Sequence, residues 1–491
     1  MKTITVLLLC VLGTLCGTAQ TTEYESMKAQ MTEKSIPLVN ITVDVDKLNS
    51  STYINGTIEI SDMQKRTEGQ QTAFYDCTLR YRGASSLAYD KKSLNLKLTD
   101  ENGADLDVSL FGIRAENSWI LDAMTIDRSR MRNRVCFDVW NEMSKTPYTT
   151  KYNQRNGTDG LHVELFINGN YHGLYCINDK VDRKLLGLKK AKAETAGYTT
   201  RGILYKCSNW NSAAMLTEYA NADVNSAEWN AWELQYPNDY ANADTWNPLM
   251  QLIDFCGAAT TDDAFVKSFD TYFYMDNVVD YFTFVNALNV RDTGYKNTFL
   301  SIPNITEGHR FLITVWDMDT SFGSDWDGSY LEETSSLDRF DYTAPFNRLR
   351  AGNLMSFNDL CLAEWQKYYQ TLFLPENINA RFDAYAQQLT ESGAWQREVE
   401  KWNNNPVELK PSIADEMQYI KTWYASNYNS LCQQWDTATG ISEATTDSGK
   451  HDVYDLQGRR IRTGVDSSYS LNGLKAGVYI LNGKKITVKK K

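Results

Sequence analysis

Histidine is scarce in this 491-residue chain: His162, His172, His309 and His451 are the only four, and they lie far apart. That scatter leaves little for a histidine-based triad or a zinc site. Cysteine supplies no framework either. Two of the nine, Cys10 and Cys16, fall in the first 19 residues. The other seven, Cys77, Cys136, Cys176, Cys207, Cys256, Cys361 and Cys432, are odd in number and form no close pairs. They read as small buried apolar side chains, not as a disulfide lattice or a metal cluster. Positive charge is in deficit, with 50 Lys and Arg against 62 Asp and Glu for a net charge of −12. This argues against a general affinity for nucleic acid or an anionic membrane. Beyond the N-terminus no apolar run is long enough to span a bilayer, and no internal repeat is evident. What remains is an ordinary globular composition, 42% hydrophobic and 23% charged, long enough for one large domain or two to three smaller ones.

The N-terminus predicts an address. Met1-Lys2 is a positive start, Ile4 to Leu15 an apolar core, and Gly17-Thr18-Ala19 ends in a small residue. Residues 1–19 therefore read as a secretory signal peptide cleaved before Gln20, and the mature chain as secreted or displayed at the cell surface. A lipoprotein reading at Cys10 or Cys16 is weaker, because bulky Leu9 and Leu15 precede them.

Alternation of apolar and polar residues predicts strands at Val39, Ile41, Val43 and at Ile54, Ile58, Ile60, and again over Phe74 to Leu98 with a break at Arg82 to Ser86. A helix is expected from about Arg128 to Lys145. Leu161 to Ile167 and Tyr171 to Ile177 form a hairpin about Asn168-Gly169. From Trp246 the pattern changes. Pro248 to Phe255 and Met275 to Leu288 read as helices, a single β hairpin follows, and Phe357 to Trp435 is almost wholly helical. The expectation is α+β: residues 20–436 as a main domain, β-rich first and helix-rich second. A Thr/Ser/Gly/Ala linker over 437–450 and a small all-β domain over 451–491 complete the chain.

The chemistry concentrates at Asn289-Val290-Arg291-Asp292, Lys296-Asn297 and the strand Phe311 to Trp316 that runs into Asp317-Met318-Asp319. An Asp, an Asn five residues on and a strand-end Asp-x-Asp are hard oxygen ligands in the order that phosphoryl-transfer enzymes use for a base and for Mg²⁺. Gly323 then lets the chain turn away. A competing reading makes Asp317, Asp319, Ser324, Asp325 and Asp327 a Ca²⁺ loop. Upstream, Met131, Val135 and Val139 form one helical stripe and Glu142 falls on the same face, with Asp138 as the alternative inward acid. A buried carboxylate needs a cation, and Lys92 and Lys97 lie in the strand Lys91 to Leu98. A strand lysine paired with a helix glutamate is how protein kinases hold phosphates. The loop Arg82-Gly83-Ala84-Ser85-Ser86 offers backbone N–H groups and two hydroxyls to a phosphate, or is an ordinary turn.

At these residues the chain resembles the CotH kinase family, from about Pro37 to Trp435. The resemblance rests on ordered pieces: Arg82-Gly83-Ala84-Ser85-Ser86 with Lys91-Lys92-Ser93, Trp119-Ile120-Leu121 with Met131-Arg132-Asn133, and Val163 to Gly169 with Gly173-Leu174-Tyr175. Glu233-Leu234-Gln235-Tyr236-Pro237, Asp292 with Lys296-Asn297, and Trp316 to Asp319 with Phe322-Gly323 follow. It implies a two-lobed atypical kinase fold with a β-rich N-lobe and a helical C-lobe, ATP, and Mg²⁺ or Mn²⁺ between them. By that likeness Asp292 is the catalytic acid and Asn297, Asp317 and Asp319 meet the metal. Lys92 or Lys97 holds phosphate beside Arg82, Gly83, Ser85 and Ser86, and Glu142 anchors the lysine. Where the family has Thr-Glu-Lys, this chain has Asn178-Asp179-Lys180. Residues 453–491 resemble a C-terminal sorting domain of the type IX secretion pathway of Bacteroidota, or are a small β module used for binding.

Three functions follow as expectations. One is an exported kinase acting on hydroxyls of an extracytoplasmic protein. The second is a surface binding or adhesion protein, motivated by the 12% Phe, Trp and Tyr. The third, weaker, is two-carboxylate glycoside hydrolysis, in which the accompanying Lys and Asn have no evident role.

Overall fold

The computed structural model describes residues 21–194, 197–438 and, between 450 and 488, all but 456–458, 467–473, 476 and 482–483. The expected signal peptide at 1–19 and residues 439–449 of the linker expected over 437–450 lie outside the described residues, while 437–438 belong to a helix and 450 to a strand.

Helix α1 (Glu23–Ala29) leads into strands β1 (Leu38–Val43), β2 (Ile54–Ser61), β3 (Thr72–Arg82), β4 (Ser93–Thr99) and β5 (Ser118–Asp122). After α2 (Arg132–Met143) come β6 (Gly160–Ile167) and β7 (Asn170–Asn178). The seven strands close into a barrel in the order β1-β2-β3-β4-β5-β7-β6, sealed by the parallel pairing of β1 with β6. Alternation produces this directly: Val39, Ile41, Leu94, Leu96, Leu98 and Trp119 fill the interior. Asn168 and Gly169 both take positive φ in the β6–β7 turn, as a tight hairpin requires. A β-rich first half is therefore present, but the sheet closes on itself and is unlike the kinase N-lobe that the resemblance implies. Closure depends on pairing residues 38–41 with 164–167, a long-range contact that local alternation does not encode.

Helix α2 is buried almost all round, arginines included. Arg132 donates to Asp127 at 2.7 Å and to Glu416 at 2.9 Å, and Trp140 packs edge-on to Phe284 with ring centroids 5.0 Å apart. It is the partition between the barrel and the second half.

That half holds the hairpin β8 (Lys192–Glu194) and β9 (Gly197–Thr199), then β10 (Ile203–Cys207), β11 (Glu228–Trp229) and β12 (Trp232–Tyr236). Helices α3 (Ala243–Cys256), α4 (Asp262–Tyr272) and α5 (Met275–Ala287) precede β13 (Thr298–Ile302) and β14 (Leu312–Val315). The hairpin read from sequence is thus one edge of a five-stranded sheet, β11-β12-β10-β13-β14. Five helices follow: α6 (Phe346–Ala351), α7 (Phe357–Tyr368), α8 (Pro375–Glu391), α9 (Ala394–Trp402) and α10 (Ile413–Ala438). Their tryptophans Trp365, Trp395, Trp402, Trp423 and Trp435 are buried in packing, which removes the aromatic motive for a binding surface on these helices, although Trp326 and Tyr342 in the preceding loops are exposed. Strands β15 (Lys450–Asp455), β16 (Arg460–Asp466), β17 (Gly477–Leu481) and β18 (Lys484–Val488) form an antiparallel sheet in the order β16-β15-β17-β18.

One buried ionic knot ties α9 to the barrel. Glu398 Oε1 accepts from Lys91 Nζ at 2.6 Å and from Arg130 Nε at 2.9 Å, while its Oε2 accepts from the Leu174 amide at 2.8 Å. Lys91 also donates to the Leu174 carbonyl at 2.6 Å.

Candidate active site

The C-terminal ends of β5 and β14 meet the loop that leaves α5. Strand β14 is wholly buried through Val315, and Asp317 then takes a left-handed conformation (φ 55°) that turns its side chain out of the sheet. Gly323, at φ 82°, is where the segment bends away, and a Cβ there would lie 2.6 Å from the Tyr419 hydroxyl. Asp317 is exposed by area yet enclosed by protein on its other sides, so it stands in a recess. Burial lifts its carboxyl above the usual range and Asp122 lifts it further, while Arg82 and Lys206 oppose the shift. The Asp319 carboxyl lies well above its usual range through burial, then through Asp317, Asp122, Asp127 and Asp292. In both acids burial and neighbouring carboxylates act in the same direction, against the charged form.

Asp122, the last residue of β5, is a member of this group that sequence reasoning missed. Its Oδ1 accepts from the Met124 amide at 3.0 Å and its Oδ2 from Asn133 Nδ2 at 3.1 Å. Asn133 Oδ1 accepts the Met318 amide at 3.1 Å, so the two strand ends are held in register by one amide side chain. In sequence Trp119-Ile120-Leu121-Asp122 is an apolar strand ending in an acid, as is the run into Asp317, and that alone is not a motif.

Asp292 and Asn297 are brought together as expected. The Asp292 carboxylate accepts from Lys296 Nζ at 2.5 Å, Asn297 Nδ2 at 3.0 Å and Trp210 Nε1 at 3.3 Å. Its amide donates to Thr320 Oγ1 at 3.0 Å, and the Arg291 amide donates to the Thr320 carbonyl at 2.8 Å. The loop after α5 is thereby pinned to the turn carrying Asp319. Asn289, Tyr295 and Asn297 all have positive φ, and backbone strain of this kind collects where a surrounding structure holds side chains to a task.

The expected phosphate side is only partly assembled as the sequence suggests. Arg82 lies over the Trp316 ring at 5.5 Å, next to Asp317. Gly83 (φ 135°), Ser85 and Ser86 form the loop just beyond it, and a Cβ on Gly83 would collide with Ser86 Oγ. Lys92 instead donates to the Tyr89 carbonyl, its own loop. Lys97 points along the outer wall of the barrel, 4.8 Å from the Tyr53 ring centroid. Neither meets Glu142. The inward placement of Glu142 is incorrect: the last turn of α2 buries Met143 and turns Glu142 to solvent, where Arg381 pairs with it at 2.8 Å. Asp138 is likewise engaged locally, by Arg134 at 3.0 Å and Tyr385 at 2.6 Å. Two cations that sequence reasoning did not select, Lys180 and Lys206, face Arg82 instead. Burial first, then Arg82, Lys97 and Arg80, draw the Lys180 ammonium down to about 8. Lys206 is lowered by burial, and the nearby Glu233 and Asp317 oppose the shift.

Among the described residues no three His, Cys, Asp or Glu side chains are close enough to enclose a metal ion. Asp325 Oδ1 accepts the Trp326 amide at 2.8 Å and Asp327 Oδ1 the Ser329 amide at 2.9 Å, and these acids do not gather with Asp317 and Asp319 into such a group. Two hollows lie away from this recess. One of about 710 Å³ lies between α1 and α9, lined by Met27, Glu164 and Arg397, and one of about 600 Å³ lies beside α4.

The recess thus gathers acids at two strand ends, an Asp/Asn loop and facing cations. Over residues 79–431 the sequence matches the family model described as CotH kinase protein, and the chain belongs to that family. No curated protein matches the chain in sequence.

Proposed function

We propose that this protein is an exported atypical kinase that transfers the γ-phosphate of ATP to a hydroxyl of an extracytoplasmic protein, with Mg²⁺ or Mn²⁺. The observation that carries the reading is the convergence of Asp292, Asn297, Asp317 and Asp319, with Asp122 behind them. In this reading Asp292 accepts the proton of the acceptor hydroxyl as its oxygen bonds to the γ-phosphorus and the bond to the β-phosphate oxygen breaks. Lys296 and Trp210 orient that carboxylate until the acceptor arrives. Asp317 and Asp319, with Asn297, would hold the divalent ion. Burial and the neighbouring acids raise both carboxyls, a setting in which a divalent ion would favour their ionised form, and so small a protein ligand set suits an ion that shares its coordination with phosphates and water. The ion supplies charge neutralisation during transfer. Export through residues 1–19 and sorting through residues 451–491 belong to the same proposal, on sequence resemblance alone.

The test is transfer of labelled γ-phosphate by the chain lacking residues 1–19, with Mg²⁺ or Mn²⁺, beside its Asp317→Ala variant. Transfer in the parent and its loss in the variant is the expected result. Equal transfer in both would overturn the site, and silence in both with folded protein would overturn the activity.

A further inference from the structure

The loop that carries Asp292 is also held by a pair of arginines. Arg291 precedes Asp292, and its only ion pair among the described residues is with the exposed Glu333, at 3.5 Å. A pair so open to water contributes little. Arg339 reaches the same loop from the segment before α6, donating to Asn289 Oδ1 at 2.6 Å and to the Val290 carbonyl. Those oxygens satisfy its N–H groups without neutralising its charge. Among the described residues no carboxylate pairs with Arg339, and the adjacent Asp338 and Asp341 are taken by Arg350 at 2.6 Å and 2.9 Å. The buried Arg130, Arg132 and Arg134 differ, each with a carboxylate within 3.0 Å. Burial first, then Arg291, draw the Arg339 guanidinium down to about 10, with the phenols of Tyr342 and Tyr281 opposing. Two like charges therefore stand together, one of them desolvated, an arrangement that negative charge from outside would relieve.

The same loop is edged by two exposed aromatic rings from separate parts of the chain. Trp210, in the segment after β10, is exposed and donates Nε1 to Asp292 Oδ1 at 3.3 Å. Tyr342, three residues beyond Arg339, is exposed as well, and a Cβ on Gly294 would lie 3.4 Å from its hydroxyl. Burial raises the Tyr342 phenol, Arg339 lowers it and Asp292 raises it, so this side chain lies in the field of both the arginine and the acid. Most other large rings of this half, Tyr281, Tyr295, Phe340 and Phe346 among them, are packed inside. Exposed rings beside a carboxylate and two guanidinium groups make a surface that is flat, apolar in part and locally positive.

We infer that Trp210, Arg291, Arg339 and Tyr342 form the acceptor-binding surface around Asp292, and that it selects a peptide with carboxylate side chains beside its acceptor hydroxyl. The rings give an extended peptide flat contact area, and guanidinium groups pair well with carboxylates. A peptide with lysines in the same places meets repulsion from both arginines, so the surface discriminates as well as binds. The inference rests on the reading of Asp292 as the base that takes the acceptor's proton, and it names the class of acceptor served there.

The experiment is calorimetric titration of the full chain, without nucleotide, with two synthetic peptides of equal length. Each carries one serine, flanked by glutamates in the first and by lysines in the second. Arg339 also anchors the loop and is left in place, so the variants are Arg291→Met, which removes charge, and Arg291→Lys, which keeps it. Expected is binding of the glutamate peptide alone, weakened about fivefold or more in Arg291→Met and largely retained in Arg291→Lys. No binding of the glutamate peptide, equal binding of the lysine peptide, or an Arg291→Met variant that binds as the parent does, overturns the inference. Addition of labelled ATP then separates this surface from the chemistry. Phosphate on the glutamate peptide supports both. A glutamate peptide that binds yet gains no phosphate leaves the surface standing and overturns the reading of Asp292 as the base.

Discussion

Replacing Glu398 with Gln should destabilise the protein far more than removing either cation that it holds. Lys91, Arg130 and Glu398 are fully buried, and the carboxylate serves two positive charges and one backbone amide at once. The Glu398 carboxyl is held below its usual range, since Lys91 and then Arg130 outweigh its burial. Burial also pulls the Lys91 ammonium down to about 7, with Glu398 resisting. Glu398→Gln leaves two unpaired buried cations, and stranding a buried charge costs about 3–5 kcal/mol. Lys91→Met leaves the Arg130–Glu398 pair balanced and forfeits two hydrogen bonds, to the Leu174 carbonyl and to Glu398 Oε1, a loss of about 1–3 kcal/mol. Equilibrium unfolding in urea, followed by tryptophan fluorescence, reads the order directly. The expected ranking is Glu398→Gln well below Lys91→Met, with the double variant recovering part of the loss. A Lys91→Met variant as unstable as Glu398→Gln would refute the reasoning, because charge imbalance would then not be what matters.

Two further outcomes are expected. Burial, then Lys91 and Lys401, draw the His172 imidazole down from 6.5 to about 4. The unfolded chain therefore binds the extra proton between those values, so this histidine makes stability rise from pH 4 to pH 6.5 and lets it fall as pH drops through that window; His172→Phe should flatten that part of the curve, and an unchanged slope would remove His172 as its source. Glu142→Ala breaks only a pair whose glutamate is 56% exposed, so it should cost under about 1 kcal/mol and leave phosphate transfer intact, whereas loss of transfer would return Glu142 to the site.

The sequence made some of this legible and withheld the rest for identifiable reasons. Strands β1 to β4 and the β6–β7 hairpin were readable because one buried face imposes strict alternation. Asp292, Asn297, Asp317 and Asp319 were readable because strand ends and tight loops place their own side chains. Glu142 was misread because α2 is buried on nearly every side, with Arg132 and Arg134 inside, so an apolar stripe no longer marks the inward face. Barrel closure, and the convergence of Lys180 and Lys206 on Arg82, depend on which distant strands become neighbours. Asp122 carries no motif of its own in the sequence, and only its neighbours in space, Asp317 and Asp319, mark it.

The knot at Glu398 also sets an order of events during synthesis. Arg130 waits 268 residues for its carboxylate and Lys91 waits 307. At ribosomal speeds of 5–20 residues per second, that delay is on the order of 10–60 s. Throughout it neither cation has the carboxylate that serves both in the folded chain. Helix α9 does more than complete the helical half: it brings the one carboxylate that two cations from the first third of the chain share.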